Sequence, residues 1–268
     1  MTGRPDLETL ARVALAAAEA GGRAALAHFR APALVTDDKG PGAFDPVTAA
    51  DREAEAAIRA ALADARPDDA VRGEEEADRP GTSGFSWIVD PVDGTRAFIS
   101  GLPTWGVLVA LDDGEAWRVG VVAQPFTGET FLGVVDGACS RAELHHAGAS
   151  RALSVRACRD LASATLYTTS PQMFGPAEWP RFERVAAEAR LTRYGVDCYA
   201  YALLALGQID LVIEAGLAPY DIAAPAALVR AAGGIVTDWR GGDCRAGGQV
   251  IAAGDARTHA AALALLAG

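Results

Sequence analysis

Near the end of its first third the chain reads Ser86-Trp87-Ile88-Val89-Asp90-Pro91-Val92-Asp93-Gly94-Thr95-Arg96. An apolar run typical of a strand, Trp87 to Val89, leads directly into two acids and a glycine. Gly94 allows the chain to turn, and the residues after it can begin a helix whose free N–H groups point at that turn. Two carboxylates beside such amides favour a site for a cation together with a phosphate. The alternative is an ordinary acidic surface turn.

The composition argues against nucleic acid as a partner. The chain has 268 residues, 50% of them hydrophobic, and a formal net charge of −11. Lys39 is the only lysine, and no run of basic residues follows a helix face. We therefore expect no nucleic-acid partner. A bound phosphate must then be neutralised by metal ions and backbone amides rather than by a cationic surface.

We also expect a cytoplasmic protein that has no membrane partner. No apolar run is long enough to span a bilayer, and the first residues lack the basic and apolar regions of a signal peptide. The cysteines have no pairwise spacing of the zinc type and fit reduced thiols. They are Cys139, Cys158, Cys198 and Cys244.

Alternating helical and strand patterns predict a layered α/β or α+β protein. Helical patterns cover 7–29 and 49–65, and a brief strand pattern beginning at Ala70 ends at Gly73. Three antiparallel strands are predicted at 105–111, 117–123 and 129–135. His145 and His146 follow in a polar stretch and are predicted to be surface residues. We treat 1–268 as one unit with two halves, 1–145 with the metal motifs and the antiparallel sheet, and 146–268 with an α/β pattern.

Two further acids occupy positions like those of Asp90 and Asp93. Glu74 follows a brief strand, although a run of acids is more often a solvated loop. Asp221 lies at the start of a predicted helix. Oxygen ligands without histidine or cysteine favour a hard cation, so these four acids predict Mg²⁺ first and Mn²⁺ as a substitute.

Asp51 has two interpretations. Thr48 and Asp51 form a capping-box pattern that opens the helix at 49–65, and many such boxes only begin a helix. The functional interpretation is that Asp51 orients a hydroxyl group or a water molecule elsewhere in the protein.

These motifs together resemble the inositol monophosphatase-like family of lithium-sensitive, Mg²⁺-dependent phosphatases. The matching segments follow family order over nearly the whole chain, at 45–51, 73–75, 87–95, 220–224 and 232–234. Tyr220 stands where tryptophan is usual, and Pro225 where a small residue is usual. The resemblance implies an α+β, five-layer αβαβα sandwich, like that of inositol monophosphatases and fructose-1,6-bisphosphatases. It places the active site between two halves.

The resemblance also implies a role for individual residues. The implied ligands of two or three Mg²⁺ ions are Glu74, Asp90, the Val92 carbonyl, Asp93 and Asp221. The implied catalytic residues, which activate the attacking water, are Glu74, Thr95 and Asp51. The amides of Gly94 and Thr95 are expected to bind the phosphate. Family members are commonly dimers, so we expect a homodimer.

Two stretches indicate the substrate: the residues after Thr95 and the segment around Asp197, 193–204. After Thr95 the chain reads Arg96-Ala97-Phe98-Ile99-Ser100-Gly101-Leu102-Pro103, which looks like the histidinol-phosphate phosphatase branch of the family. Inositol enzymes also tend to have a small residue where Asp197 stands. Histidinol phosphate carries an ammonium group and an imidazole, and carboxylates at Asp197 and Glu214 can bind such a cation. Alternatively, Asp197 caps the helix predicted from Cys198.

We therefore expect a Mg²⁺-dependent phosphomonoesterase that hydrolyses L-histidinol phosphate in histidine biosynthesis. The predicted substrate-binding residues are Asp93, Gly94, Thr95, Arg96, Asp197 and Glu214. Arg96 meets either the phosphate or an acid of a partner subunit. One alternative is an inositol-1-phosphate or broad sugar-phosphate phosphatase, and another is a non-catalytic, metal-binding regulatory homologue.

Overall fold

The computed structural model of the chain describes residues 6–32, 36–38 and 46–267. These residues form a seven-stranded sheet, a five-stranded sheet and a two-stranded ribbon. Asp45, the first residue of the 45–51 motif, lies outside the described residues.

Two helices that precede the large sheet in the chain pack side by side. They are α1 (Leu7–His28), capped by Asp6, and α2 (Ala49–Ala65), capped by Thr48. Their close approach depends on Gly21, where a Cβ atom would lie 2.6 Å from Ile58 Cγ1. The short antiparallel strands β1 (Thr36–Asp38) and β2 (Pro46–Thr48) precede α2. In the described part of the chain, no helix is both long and apolar enough to cross a membrane.

The large sheet has its strands in sequence order, and only β3 and β4 are parallel. Its strands are β3 (Ala70–Arg72), β4 (Ser86–Asp93), β5 (Gly106–Asp112), β6 (Trp117–Gln124), β7 (Glu129–Val134), β8 (Arg141–His146) and β9 (Ala149–Ala152). The predicted antiparallel strands are present. His145 and His146 lie beyond these three strands, as predicted, but they end a further strand, β8, that the sequence analysis did not predict. The sheet continues to Ala152, so β8 crosses the proposed boundary at residue 145.

The strand that carries the first two acids is longer than its apolar run indicates. β4 continues through Pro91 to Asp93, and its register against β5 shifts between Asp90 and Asp93. The prediction that the strand stops before Asp90 was therefore wrong. The irregularity accommodates Pro91, which has no N–H to donate to a neighbouring strand.

The short helix α3 (Thr95–Ile99) follows β4, and the small sheet comes later in the chain. The order of the small sheet is β11-β10-β12-β14-β13. Its strands are β10 (Thr165–Thr168), β11 (Leu191–Tyr194), β12 (Leu211–Leu217), β13 (Ile235–Thr237) and β14 (Gly248–Ala253). The remaining helices are α4 (Trp179–Glu188), α5 (Tyr199–Ala205), α6 (Pro219–Ala231) and α7 (Ala256–Ala267).

The elements stack in five layers, which confirms the predicted αβαβα sandwich. Helices α1 and α2 cover the outer face of the large sheet, α5 and α6 lie between the two sheets, and α4 and α7 cover the outer face of the small sheet. Helix α6 lies almost directly on β6, because a Cβ atom on Gly120 would be only 2.3 Å from the Ala224 carbonyl oxygen. This packing brings the start of α6 toward the end of β4.

Candidate active site

The end of β4 forms a tight turn that leads into α3. Gly94 has a φ angle of 83° and is the N-cap residue of α3, so a side chain here would be strained. The amide of Val92 donates a 3.0 Å hydrogen bond to Asp90 Oδ1, which fixes that carboxylate. Asp90 is buried, while Asp93 lies at the wall of a cleft.

Asp221 approaches these two acids from a different element, helix α6. It lies in the first turn of α6, where its Oδ2 accepts a 2.7 Å hydrogen bond from the Ala218 amide. Oxygen atoms of Asp90, Asp93 and Asp221 lie within 4.8 Å of one another. Three carboxylates at this spacing repel each other unless they bind protons or a cation.

The carboxyl groups of the cluster have raised pKa values, which indicates that the cluster can hold a cation in place of protons. Burial, together with the neighbouring charges of Glu74 and Asp93, raises the pKa of Asp90 well above its usual range. Burial raises the pKa of Asp221 to about 7. The nearby Cys198 thiol also has a raised pKa because it is buried, so it stays protonated and is a poor ligand. The available donors are therefore carboxylate oxygens, which suit a hard divalent ion.

Glu74 lies on the loop after β3, close enough to Asp90 that its charge helps to raise the pKa of Asp90. The loop is held by a residue that the sequence analysis did not single out. Glu55 of α2 accepts hydrogen bonds from the amides of Glu75 and Glu76, at 2.8 and 3.1 Å. The sequence feature that could have identified Glu55 is its spacing. It lies four residues after Asp51 and thus on the same helix face.

The Thr95 hydroxyl lies between two oxygen acceptors. Its Oγ1 is 3.1 Å from the Val92 carbonyl oxygen and 3.5 Å from Asp51 Oδ1, the latter at the limit of a hydrogen bond. Asp51 is buried, and its Oδ2 accepts hydrogen bonds from the amide and hydroxyl of Thr48. Asp51 therefore both completes the capping box and approaches the active-site threonine, so its two interpretations are compatible.

A cleft of about 310 Å³ opens beside the acid cluster. All six predicted substrate-binding residues line it, namely Asp93, Gly94, Thr95, Arg96, Asp197 and Glu214. Thr169, Met173 and Tyr201 line it as well, and the sequence analysis did not single them out. Thr169 and Met173 follow β10, Tyr201 lies on α5, and no pattern in the sequence links them to the acids. The roles of the six predicted residues stay predictions.

Asp197 faces the cleft and does not cap α5. This helix begins at Tyr199, its N-cap residue is Cys198, and no side chain caps it. The Asp197 carboxyl group instead packs on Gly94, where a Cβ atom would lie 2.9 Å from Asp197 Cγ. Burial and the charge of Glu214 raise the pKa of Asp197 to about 7, while the charge of Arg96 lowers it.

Glu214 is a buried carboxylate with three hydrogen-bond donors. Its Oε1 accepts from the hydroxyl and the amide of Thr169, at 2.6 and 3.2 Å, and its Oε2 accepts from the Tyr201 hydroxyl at 2.8 Å. Burial raises the pKa of Glu214, and the donors oppose that shift. The donors therefore favour the charged form in a place where burial disfavours it.

The fold and the acid cluster agree with comparisons to known proteins. The model of the inositol monophosphatase family matches residues 6–267. This chain belongs to the inositol monophosphatase family. Members of this family are phosphatases, and the buried acid cluster is consistent with metal dependence.

Three relatives illustrate how similar this chain is to known proteins. The bifunctional phosphatase IMPL2, chloroplastic, of Arabidopsis thaliana is 36% identical over 96% of this chain and 75% of its own length. A histidinol-phosphatase of Chlorobaculum parvum is 33% identical over 88% of this chain and 87% of its own length. The solved structure of an inositol monophosphatase from Zymomonas mobilis is 38% identical, covers 99% of this chain and 100% of its own, and has a TM-score of 0.85.

Proposed function

We propose that this phosphatase hydrolyses L-histidinol phosphate to L-histidinol and phosphate, using divalent metal ions. The observation that carries this proposal is the position of Asp197, which lies on Gly94 and faces the same cleft as Glu214. Two carboxylates in the same cleft as a phosphate site suit a substrate that is anionic at one end and cationic at the other.

The proposed metal ligands lie on the loop after β3, at the end of β4 and at the start of α6. They are Glu74, Asp90, the Val92 carbonyl, Asp93 and Asp221, which would hold Mg²⁺ or Mn²⁺. When bound, such ions supply Lewis acidity and neutralise negative charge on the phosphate. This chain needs them, because its net charge is −11 and it has few cations near the cleft.

Thr95 and Glu74 would orient the attacking water. The Thr95 hydroxyl proton is directed to the Val92 carbonyl or to Asp51, so a lone pair of Oγ1 remains free to accept a hydrogen bond from water. The Glu74 carboxylate would accept the second proton of that water. As the water oxygen bonds to phosphorus and the bond from phosphorus to the ester oxygen breaks, Glu74 would take one water proton, the other would stay on the released phosphate, and the departing histidinol oxygen would take up a proton from solvent.

The phosphate itself would lie at the turn between β4 and α3. The amides of Gly94 and Thr95 stand at the beginning of α3, and both residues line the cleft. Backbone amides at such a turn bind phosphate oxygens without adding a charged side chain. Arg96, exposed at the same edge, is close enough to Asp197 to affect its pKa, which favours a contact within this subunit.

Sequence identity does not distinguish the substrates. A histidinol-phosphatase and an inositol monophosphatase are 33% and 38% identical to this chain, respectively. The second relative favours inositol 1-phosphate as the alternative substrate. The two substrates differ chemically at the end that faces Asp197 and Glu214, since inositol phosphate offers only hydroxyl groups there. The choice therefore rests on these two carboxylates.

Steady-state kinetics on L-histidinol phosphate and inositol 1-phosphate test the proposal. We expect kcat/KM to favour histidinol phosphate, and Asp197→Ala to reduce this preference about tenfold or more, as for the loss of a charged hydrogen bond. Asp136→Ala, an exposed change of the same type, should leave the preference unaltered. Equal preference in the wild type and Asp197→Ala would exclude the specificity argument. Phosphate release with Mg²⁺ but not with EDTA would exclude the non-catalytic alternative.

A further inference from the structure

Glu55 is a buried acid to which the proposed reaction assigns no role. Its side chain is fully buried on α2, and its carboxylate accepts three hydrogen bonds. Two come from the amides of Glu75 and Glu76, and the third comes from Arg59 Nε at 2.8 Å. A buried carboxylate is costly unless such donors surround it, so this geometry is well defined.

The contact between Glu55 and the 74–76 loop also requires Gly73. A Cβ atom at residue 73 would lie 2.0 Å from Glu55 Oε1 and 2.8 Å from Arg59 Nη2. Arg59 in turn donates a 2.9 Å hydrogen bond to the Glu76 carbonyl oxygen. Glu55 and Arg59 therefore hold the loop by its backbone, directly after the residue that contacts Asp90.

Asp51 lies one helical turn before Glu55 on the same face of α2. Asp51 approaches the Thr95 hydroxyl, and Glu55 holds the loop of Glu74. Thr95 and Glu74 are the two residues that the proposed function assigns to the attacking water. One helix therefore contacts both segments that carry them.

We propose that Glu55 is a positioning residue that places Glu74 against Asp90 and, with Asp51, sets the position of Glu74 relative to Thr95. This inference rests on the proposed function for the role of Glu74. It differs from a purely structural role, in which the pair of Glu55 and Arg59 would only stabilise α2. A structural role affects thermal stability, whereas a positioning role affects metal affinity in the folded protein.

The test compares Glu55→Gln with Glu53→Gln, an exposed position on the same helix that contacts His28. A glutamine at position 55 keeps the size of the side chain but turns an NH₂ group toward a backbone N–H. We expect Glu55→Gln to bind Mg²⁺ about 10–100-fold more weakly in calorimetry without substrate, as for other groups that orient metal ligands. The amides of Glu75 and Glu76 should lose hydrogen-exchange protection. Glu53→Gln should behave like the wild type.

Gly73→Ala provides a second variant in case Glu55→Gln does not fold. The added methyl group displaces the Glu55 carboxylate while leaving every charge in place, and Gly73 lies near the surface. We expect weaker Mg²⁺ binding here too. Wild-type Mg²⁺ affinity, or unchanged exchange at residues 75 and 76, in a folded variant would overturn the inference. Because neither measurement uses substrate, a wild-type protein that releases no phosphate would overturn only the proposed function.

Discussion

Asp93 Oδ2 accepts a 2.7 Å hydrogen bond from the backbone amide of Cys198, which lies 105 residues later in the chain. This bond joins the end of β4 in the large sheet to the N-cap residue of α5, between the sheets. One carboxylate therefore serves the acid cluster and also fixes the segment that carries Asp197. The acid cluster and the cleft residue Asp197 are thus connected through a single side chain.

Asp93→Asn should nearly abolish turnover. The amide side chain removes one negative charge from the cluster. We therefore expect Mg²⁺ affinity and kcat/KM to fall by more than about 100-fold, which exceeds the usual cost of losing a group that only hydrogen-bonds to a metal ligand. Mg²⁺ titration of phosphate release measures both effects. Asp64→Asn, at an exposed position of α2, is the matched control. Wild-type turnover of Asp93→Asn at saturating Mg²⁺ would contradict the ligand assignment.

Tyr201→Phe should raise KM for histidinol phosphate more than it lowers kcat. The phenol donates to Glu214 Oε2, and without this donor the buried carboxylate is more easily protonated. We expect KM to rise on the order of 10-fold, the cost of a hydrogen bond to a charged group. The rise should be greatest at low pH, so the pH profile of KM is the measurement. A uniform loss of kcat at every pH would indicate a different role.

Stabilisation by Mg²⁺ should increase as the pH rises from 5 to 8. The pKa of Asp221 is raised from 3.8 to about 7, so without metal the folded state retains protons that the unfolded state has released. Stability of the metal-free protein therefore falls as the pH rises through this window. Mg²⁺ competes with these protons, and its effect on Tm should be on the order of 5 °C larger at pH 8.

The measurement is the difference in Tm between Mg²⁺ and EDTA at each pH. His259, whose pKa is lowered by burial, destabilises the folded protein at low pH with or without metal, and the difference cancels this contribution. A Mg²⁺ effect that is equal at pH 5 and pH 8 would show that the cluster does not exchange protons for the ion.

Gly120→Ala should destabilise the fold by about 1–3 kcal/mol, as overpacking does in other cores. The new methyl group would lie 2.3 Å from the Ala224 carbonyl oxygen, so α6 must move away from β6. Chemical denaturation measures the loss. Gly175→Ala, whose Cβ atom would approach only the side-chain carboxylate of Glu178, at 3.3 Å, is the control and should stay within about 0.5 kcal/mol of the wild type.

Local patterns were sufficient to predict most of the elements that position the site. The turn at Gly94, the capping box at Thr48 and the helix that begins near Asp221 each depend on neighbouring residues, so the sequence contains their signal. Strand β8 buries Ala142 and Leu144 in alternation, a signal that the sequence analysis did not use, whereas β9 was missed because it is exposed throughout and lacks an apolar face. Polar edge strands have no periodic pattern to identify them.

The sequence by itself determined the family, because its motifs are short and their geometry is local, and the family resemblance in turn implied the five layers and the candidate acids. Only the tertiary structure decided that Asp197 faces Gly94 rather than capping α5, and that Glu55, Thr169 and Tyr201 support the site. These contacts join residues that are far apart in the sequence. Their distances are set by the pairing of strands and by the packing of helices on the two sheets, which no local pattern encodes.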